Sequence, residues 1–210
     1  MILRHDIDTD IEKAYRMAEL EKNLNVSSTY FVLITSNFYN VFSYENKKFL
    51  KSILECGHEI GLHFDEKRYP EICGNEQICI DRIMKEKLLL ELMLDVPITK
   101  VSYHRPSKDI LDSYIEIPGM INSYGKKFFD EYKYLSDSRR RWREPVEEIV
   151  ESGNYSHLHI LTHAFWYQDI EESISDTVKK FVKKAQNDRY MALKDNITDL
   201  SSIMSEEELQ

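Results

Sequence analysis

Met1-Ile2-Leu3-Arg4-His5-Asp6-Ile7-Asp8 opens the chain as an apolar run that turns polar at its end. Met1 to Arg4 carries no helix signal. From Asp10 to Leu24, by contrast, Ile11, Ala14, Tyr15, Ala18 and Leu20 fall near helical spacing behind a Thr9/Asp10 cap. The reading is a strand followed by a helix, and the unit repeats along the chain. Ser28 to Ile34 is β-branched and aromatic, Glu45 to Glu55 is helical and stops at Gly57, and Glu59 to Leu62 is again a short strand. Asn75 to Asp95 is a long helical stretch ending before Pro97, after which Lys100 to Tyr103 reads as a strand stopped by Pro106. Met120 to Ser123, Tyr132 to Leu135 and Leu158 to Thr162 are the remaining strands. Lys126 to Glu131, Val146 to Glu151 and Ile170 to Ala185 are the helices between and after them.

About seven strands alternating with helices, without a linker or repeat, predict a single α/β domain over residues 1–210 with a parallel sheet. Such a sheet is open or closed into a barrel. The unusual polar residues favour the barrel, because each lies at the downstream end of a strand. Asp6 and Asp8 follow the first strand, His63 the third, His104 and Arg105 the fourth, Asp137 the sixth and His163 the last. Loops at the carboxyl ends of barrel strands converge on one mouth, so these side chains can meet although they are far apart in sequence.

The composition excludes several classes of function. The chain has 210 residues, 42% of them hydrophobic, with Lys+Arg 28 against Asp+Glu 37 and a formal charge of -9. No global basic field exists to hold a nucleic acid by counterion release. Cys56, Cys73 and Cys79 are odd in number and show no CxxC spacing, which fits free thiols in a reducing compartment. No apolar run reaches membrane-spanning length, and charge begins at Arg4, so the expected location is cytoplasmic.

Period two along Arg4-His5-Asp6-Ile7-Asp8 sets Arg4, Asp6 and Asp8 on one side, with His5 and Ile7 on the other. Two acids sharing a face suit a metal ligand and a base, since a cation close to both relieves their repulsion. Asp10 reads as a helix cap. In Gly57-His58-Glu59-Ile60-Gly61-Leu62-His63-Phe64-Asp65, His63 shares a side with Glu59 and Gly61 and is the better ligand; His58 reads as structural. Imidazole with one or two carboxylates is a mixed N/O set that suits zinc, nickel, cobalt, manganese or iron. Arg105 offers a donor fork able to clamp a carboxylate, and pairing with Asp6 is the expectation. His163, beside Ala164-Phe165-Trp166-Tyr167, is an imidazole able to donate a proton next to aromatic faces that stack on sugars. Asp137-Ser138-Arg139-Arg140-Arg141-Trp142-Arg143 is the one dense basic run. It reads as a solvated loop or, because it follows a strand end, as a surface drawing an anionic sugar or nucleotide sugar to the mouth. A glycosidase using Asp6 and Asp137 leaves the histidines and Arg105 unexplained.

Taken together, His5-Asp6-Ile7-Asp8, Gly57 to Asp65, His104-Arg105-Pro106, Asp137 to Trp142 and Leu161-Thr162-His163 resemble the ordered motifs of polysaccharide deacetylases. These are the NodB-homology or carbohydrate esterase family 4 group. The His-Asp-Ile-Asp form and the Thr-His-Ala-Phe-Trp ending look closest to the WbmS-like branch associated with bacterial O-antigen and capsule gene clusters. The resemblance implies a distorted (β/α)7 barrel and metal-dependent removal of an N-acyl (acetyl or formyl) or O-acyl group from a sugar. It implies Asp6 as base, Asp8 and His63 as metal ligands, Arg105 as the residue holding the base, Asp137 and Trp142 as supports, and His163 as acid. Trp142, Trp166 and Arg139 are then expected to face the sugar, with zinc the first choice of metal. Two departures stand out. The family's second histidine, four residues after the first, is Lys67 here, which leaves Asp65 or His104 to complete the metal set. The family's two acids are adjacent, whereas Ile7 separates Asp6 from Asp8. A sugar-binding descendant of the fold without chemistry is the alternative reading.

Overall fold

The computed structural model describes residues 1–113 and 115–209, with Phe129 described by its backbone alone. The chain divides into two compact units, Met1–Tyr167 and Gln168–Gln210.

The first unit is built on seven parallel strands: β1 (Ile2–Ile7), β2 (Thr29–Val32), β3 (Glu59–Phe64), β4 (Lys100–Tyr103), β5 (Ile121–Asn122), β6 (Lys133–Ser136) and β7 (Leu158–Thr162). Their order in the sheet is β5-β4-β3-β2-β1-β7-β6. The sheet curls into a half-barrel with β5 and β6 as its two edges, so the barrel is open on one side. Between the strands run α1 (Ile11–Asn23), α2 (Tyr44–Glu55), α3 (Glu76–Leu94), α4 (Lys108–Ser113), α5 (Lys126–Asp130) and α6 (Val146–Ser152). Asp10 caps α1, its side chain accepting from the Lys13 amide, as expected of an acid ahead of an amphipathic run. The short α4 and the single-turn 3-10 segments after several strands carry too few periodic residues to be read from sequence.

Pairing register determines what the sheet turns inward. β1 and β7 align Ile2 with His159 and Arg4 with Leu161, β1 and β2 align Asp6 with Phe31, and β2 and β3 align Phe31 with Gly61. β3 and β4 align His63 with Ser102. Residues paired across a parallel ladder share a face, so Arg4 and Asp6 line one side together with Phe31, Gly61, His63 and Ser102. The opposite side takes Ile7, Tyr30, Val32, Leu62, Phe64 and Val101 into a continuous core with Ala14 and Ala18 of α1, Leu50 and Ile53 of α2, and Ile83 and Leu90 of α3. A smaller cluster of Leu135, Leu158 and Ile160 packs against Trp142, Val146 and Ile149.

Gly61 is fixed by packing. A Cβ there would lie 2.6 Å from two carbons of the Phe31 ring, so the ring crosses the inner face only because β3 has no side chain at that point. The second unit contains α7 (Ile174–Asn196), capped by Ser173, and α8 (Leu200–Ile203), with the Tyr190 hydroxyl donating to the Met204 carbonyl at 3.2 Å. α7 runs past the expected end at Ala185. No helix among the described residues is long and apolar enough to cross a membrane. The three cysteines are free.

Candidate active site

The expected residues meet where the carboxyl ends of β1, β3, β4 and β7 converge. Asp8 is at their centre. Its Oδ1 lies 3.2 Å from His63 Nε2 and 3.4 Å from His104 Nδ1, and its Oδ2 lies 3.8 Å from His163 Nε2. One ligand atom from each of Asp8, His63 and His104 falls within 4.8 Å of the others. His63 is oriented from behind: its Nδ1 is 2.6 Å from Ser102 Oγ, which leaves Nε2 toward Asp8. The His63 and His104 rings meet edge to face with centroids 5.2 Å apart. Burial works against charge on Asp8, but His104 and His63 outweigh it and hold the carboxyl well below the usual range.

Asp8 Oδ1 nonetheless has no aligned hydrogen bond, and neither does Asp6 Oδ1, although both atoms are buried. A buried carboxylate oxygen with two imidazole nitrogens around it and no proper donor is the arrangement a cation completes. Two nitrogens and one oxygen form a set that suits zinc and its first-row neighbours.

Asp6 is held by a different residue from the one expected. Arg4, buried on the same face of β1, donates from Nη2 to Asp6 Oδ2 at 3.3 Å and to Tyr124 Oη at 3.2 Å, and from Nη1 to Ser123 Oγ. Its guanidinium also lies over the rings of Tyr124 and Phe31, at 4.9 and 5.5 Å from their centroids. Arg105 instead points to Asp65, with Nη2 3.3 Å from Oδ2, and its side chain is 61% exposed. This corrects the pairing of Arg105 with Asp6: β4 ends at Tyr103, and the backbone turns through a positive φ of 52° at Arg105. Period two along β1 had already put Arg4 beside Asp6, so the signal was present in the sequence.

Asp65 is likewise not part of the metal cluster. β3 ends at Phe64, and Asp65 caps the following turn, accepting from the Lys67 amide at 3.2 Å and pairing with Arg68 and Arg105. Lys67 is exposed. Of the two candidates for the third ligand, only His104 reaches Asp8, because it continues the alternation of Lys100 and Ser102.

His163 is paired with Asp137, whose Oδ1 lies 2.6 Å from His163 Nδ1 and whose Oδ2 accepts from the His163 amide at 3.0 Å. Burial disfavours the imidazolium, but Asp137, Asp6 and Asp8 outweigh it and raise the His163 pKa from its ordinary value. Trp166 lines a small cleft with Asp6, Asp8, His163 and Phe165, at the candidate metal-binding cluster. Trp142 is half-buried, packing on the Leu135, Leu158 and Ile160 cluster and reaching the Tyr167 hydroxyl, which also meets Asp137. Arg139 is exposed on the loop after β6, in a left-handed conformation with φ 62°, and is outside the cluster. The loop after β2 is tied to the site through main-chain atoms: Ser36 Oγ donates to the Asp8 carbonyl at 2.8 Å and Tyr39 Oη to the Ile7 carbonyl at 2.7 Å. Ser102, Ser123 and Tyr124 were not legible as site residues, because hydroxyls carry no spacing signature.

No protein-family model matches the sequence, and no curated protein matches it. Solved structures do. The Bc1960 peptidoglycan N-acetylglucosamine deacetylase in complex with 4-naphthalen-1-yl-N-oxidanyl-benzamide matches 89% of this chain and 81% of its own, at 19% identity and TM-score 0.54. A family 4 acetyl xylan esterase from Clostridium thermocellum in complex with a cobalt ion matches 89% and 83%, at 12% identity and TM-score 0.50. A CE4 family pseudoenzyme from Bacillus anthracis matches 89% of this chain at 16% identity and TM-score 0.49; the chain spans 60% of that protein's length. At these identities the likeness is one of fold, and the fold is the NodB-type (β/α)7 barrel of CE4 polysaccharide deacetylases.

Proposed function

We propose that the protein is a metal-dependent carbohydrate deacylase that hydrolyses an N-acyl or O-acyl group on a sugar. The observation that carries this reading is the convergence of Asp8, His63 and His104 beside two further groups in complementary roles. One is Asp6, with a buried, unbonded oxygen; the other is His163, paired with Asp137. A divalent cation on the three ligands, zinc first, supplies Lewis acidity toward the acyl carbonyl and water. Asp6 Oδ1 accepts the proton of the attacking water, while Arg4 fixes Oδ2 so that the carboxylate cannot rotate away. His163 gives Nδ1–H to Asp137, which frees Nε2 to deliver a proton to the departing sugar nitrogen or oxygen. Its raised pKa keeps that acid form in place to higher pH than a free imidazole allows. Trp166 offers the sugar a ring face at the cleft.

The finer assignment is to acylated sugars or nucleotide sugars of bacterial surface polysaccharide, O-antigen or capsule. It is supported by the His5-Asp6-Ile7-Asp8 and Thr162-His163-Ala164-Phe165-Trp166 forms of the motifs. A single domain carries the chemistry in this reading, and every site residue falls within Met1–Tyr167. The sugar-binding alternative draws on Lys67 standing where the family has a histidine; His104 supplies the nitrogen that Lys67 lacks.

Two measurements on one preparation test the reading: metal content by elemental analysis, and acetate release from UDP-N-acetylglucosamine and N-acetylglucosamine oligosaccharides. Near-stoichiometric metal that is lost in His63→Ala and His104→Ala, with acetate release in the parent protein, is the expected result. Absence of metal after adding zinc, cobalt, nickel, manganese and iron in turn would overturn it.

A further inference from the structure

The arginines that follow β6 are used neither by the core nor by the hydrolysis proposed above. Arg139, Arg140, Arg141 and Arg143 put four guanidinium groups into five positions of a chain whose formal charge is -9. Arg139, Arg141 and Arg143 are exposed, and among the described residues no acid forms an ion pair with any of the three. Like charges held this close repel one another until an anion comes between them.

The loop that carries them is fastened to the proposed acid. Asp137, its first residue, holds His163 through both Nδ1 and the amide, at 2.6 and 3.0 Å. The Arg141 amide returns to the Asp137 carbonyl at 3.1 Å, and the Ser138 amide donates to Ser136 Oγ at 3.1 Å. Arg139 and Arg140 both take a positive φ, 62° and 55°, a conformation that side chains other than glycine adopt only where their surroundings hold it. Arg139 is two residues from Asp137, at most about 8 Å along the chain, and Arg141 is drawn back toward the same residue.

The side of the scissile bond on which this loop stands points to its partner. His163 protonates the departing nitrogen or oxygen of the sugar, so the sugar lies toward His163 and the acyl group toward Asp8, His63 and His104. A loop hung from Asp137 borders the sugar. In a 2-acylamino sugar with a diphosphate on its anomeric carbon, only two ring carbons and one oxygen separate the acylated nitrogen from the first phosphorus. The phosphoryl oxygens then fall on the His163 side, next to the arginines. Guanidinium stays charged and its planar fork of donors matches phosphoryl oxygens. A uronate brings a single charge and a neutral oligosaccharide none, whereas a diphosphate carries enough charge for several arginines.

We propose that Arg139 and Arg141, with Arg143 beside them, form a subsite for the diphosphate of the substrate, so that the protein acts on a sugar diphosphate rather than on a neutral polymer. The inference rests on the deacylase reading and narrows its substrate class. The diphosphate is common to nucleotide sugars and lipid-linked sugars, and the far end of the molecule distinguishes them.

The test compares the parent protein with a double variant, Arg139→Gln with Arg141→Gln, at matched metal content and constant ionic strength. Uridine diphosphate, geranyl diphosphate and glucuronic acid are titrated into each, with binding read by calorimetry. Saturable binding of a diphosphate to the parent is expected, with affinity about tenfold or more lower in the double variant and falling in the parent as salt is raised. Because the metal is common to both proteins, the difference isolates the arginines. Binding of uridine diphosphate alone supports a nucleotide sugar, and of geranyl diphosphate alone a lipid-linked one. No saturation of the parent by either diphosphate overturns the proposal without recourse to the variant. Undiminished binding by the double variant overturns it too, as does arginine-dependent binding of glucuronic acid in place of the diphosphates. None of these readouts uses turnover: diphosphate binding without acetate release from any sugar would remove the deacylase reading and leave the subsite standing, and acetate release without diphosphate binding the reverse.

Discussion

The two faces of β1 bury polar groups under opposite conditions. On the outer face, His5 has Thr162 Oγ1 2.6 Å from Nδ1 and Glu21 Oε1 2.8 Å from Nε2. Glu21 Oε2 in turn accepts from Ser28 at 2.7 Å and Tyr30 at 2.8 Å, and His58 links Ser28 to the Ala18 carbonyl. Glu21 is satisfied at both oxygens. One residue further along the same strand, on the inner face, Asp6 keeps a bare buried oxygen, and so does Asp8. A closed network ties α1 to the sheet, whereas an open one keeps valence available for something the chain does not itself supply. The distinction separates a polar cluster whose partners all lie within the chain from one with acceptor oxygens left over.

Exchanging the two failures breaks that comparison most directly. Asp6→Asn should lower turnover by about 10²–10⁴-fold in a protein that still folds, since the amide still accepts from Arg4. Glu21→Ala should do the reverse. It strips His5, Ser28 and Tyr30 of their shared acceptor, and chemical denaturation should show a loss of about 3–5 kcal/mol. If Glu21→Ala folds as stably as the parent, the outer network is not what secures α1.

A third buried carboxyl sharpens the contrast. Glu86 receives one hydrogen bond, from Tyr69, and its Oε2 has none. Burial accordingly pushes its pKa up to about 7. Glu21 is also opposed by burial, but His5, Ser28 and Tyr30 prevail and its pKa is lowered. The signs differ in consequence. Folded Glu86 retains a proton that the unfolded chain has released, so its contribution is fully present below the unfolded pKa and is lost as pH rises toward about 7. Glu21 contributes above its unfolded pKa and loses that contribution as pH falls through the lowered folded value. Glu86→Gln should therefore raise stability near neutral pH by up to about 3 kcal/mol and flatten its decline between mildly acidic and neutral pH, measured by urea unfolding across pH.

Smaller effects test the inner face. Gly61→Ala should cost about 1–3 kcal/mol, because the Phe31 ring must move and Arg4 leans on that ring. Lowered turnover in the same variant would show the displacement reaching Asp6. Asp137→Asn should shift the alkaline limb of the pH–rate profile to lower pH, since the acid form of His163 loses its principal support. An unmoved limb would take His163 out of the acid role.

The sequence carried a large part of this. Strand and helix alternation, the Asp10 cap and the clustering of polar residues at strand ends were readable because each leaves a period or a boundary in the chain. Period two along β1 even placed Arg4 with the two acids. Arg105 misled because Arg-Pro after a strand looks like a clamp, while its actual partner, Asp65, is chosen by how the chain turns after Phe64. The third ligand was left open between Asp65 and His104 for the same reason: a strand's end decides which residue still faces inward, and ends are the least determined part of a local reading. The packing of Trp142 on Leu135, Leu158 and Ile160 was not legible, because that cluster is assembled from β6 and β7.

The attachment of the loop after β2 has a bearing on how such a site drifts over generations. Ser36 and Tyr39 grip the carbonyls of Asp8 and Ile7, atoms present whatever side chain stands there. The grip is blind to mutation at positions 7 and 8. A change of side chain at either position therefore leaves the loop anchored where it is.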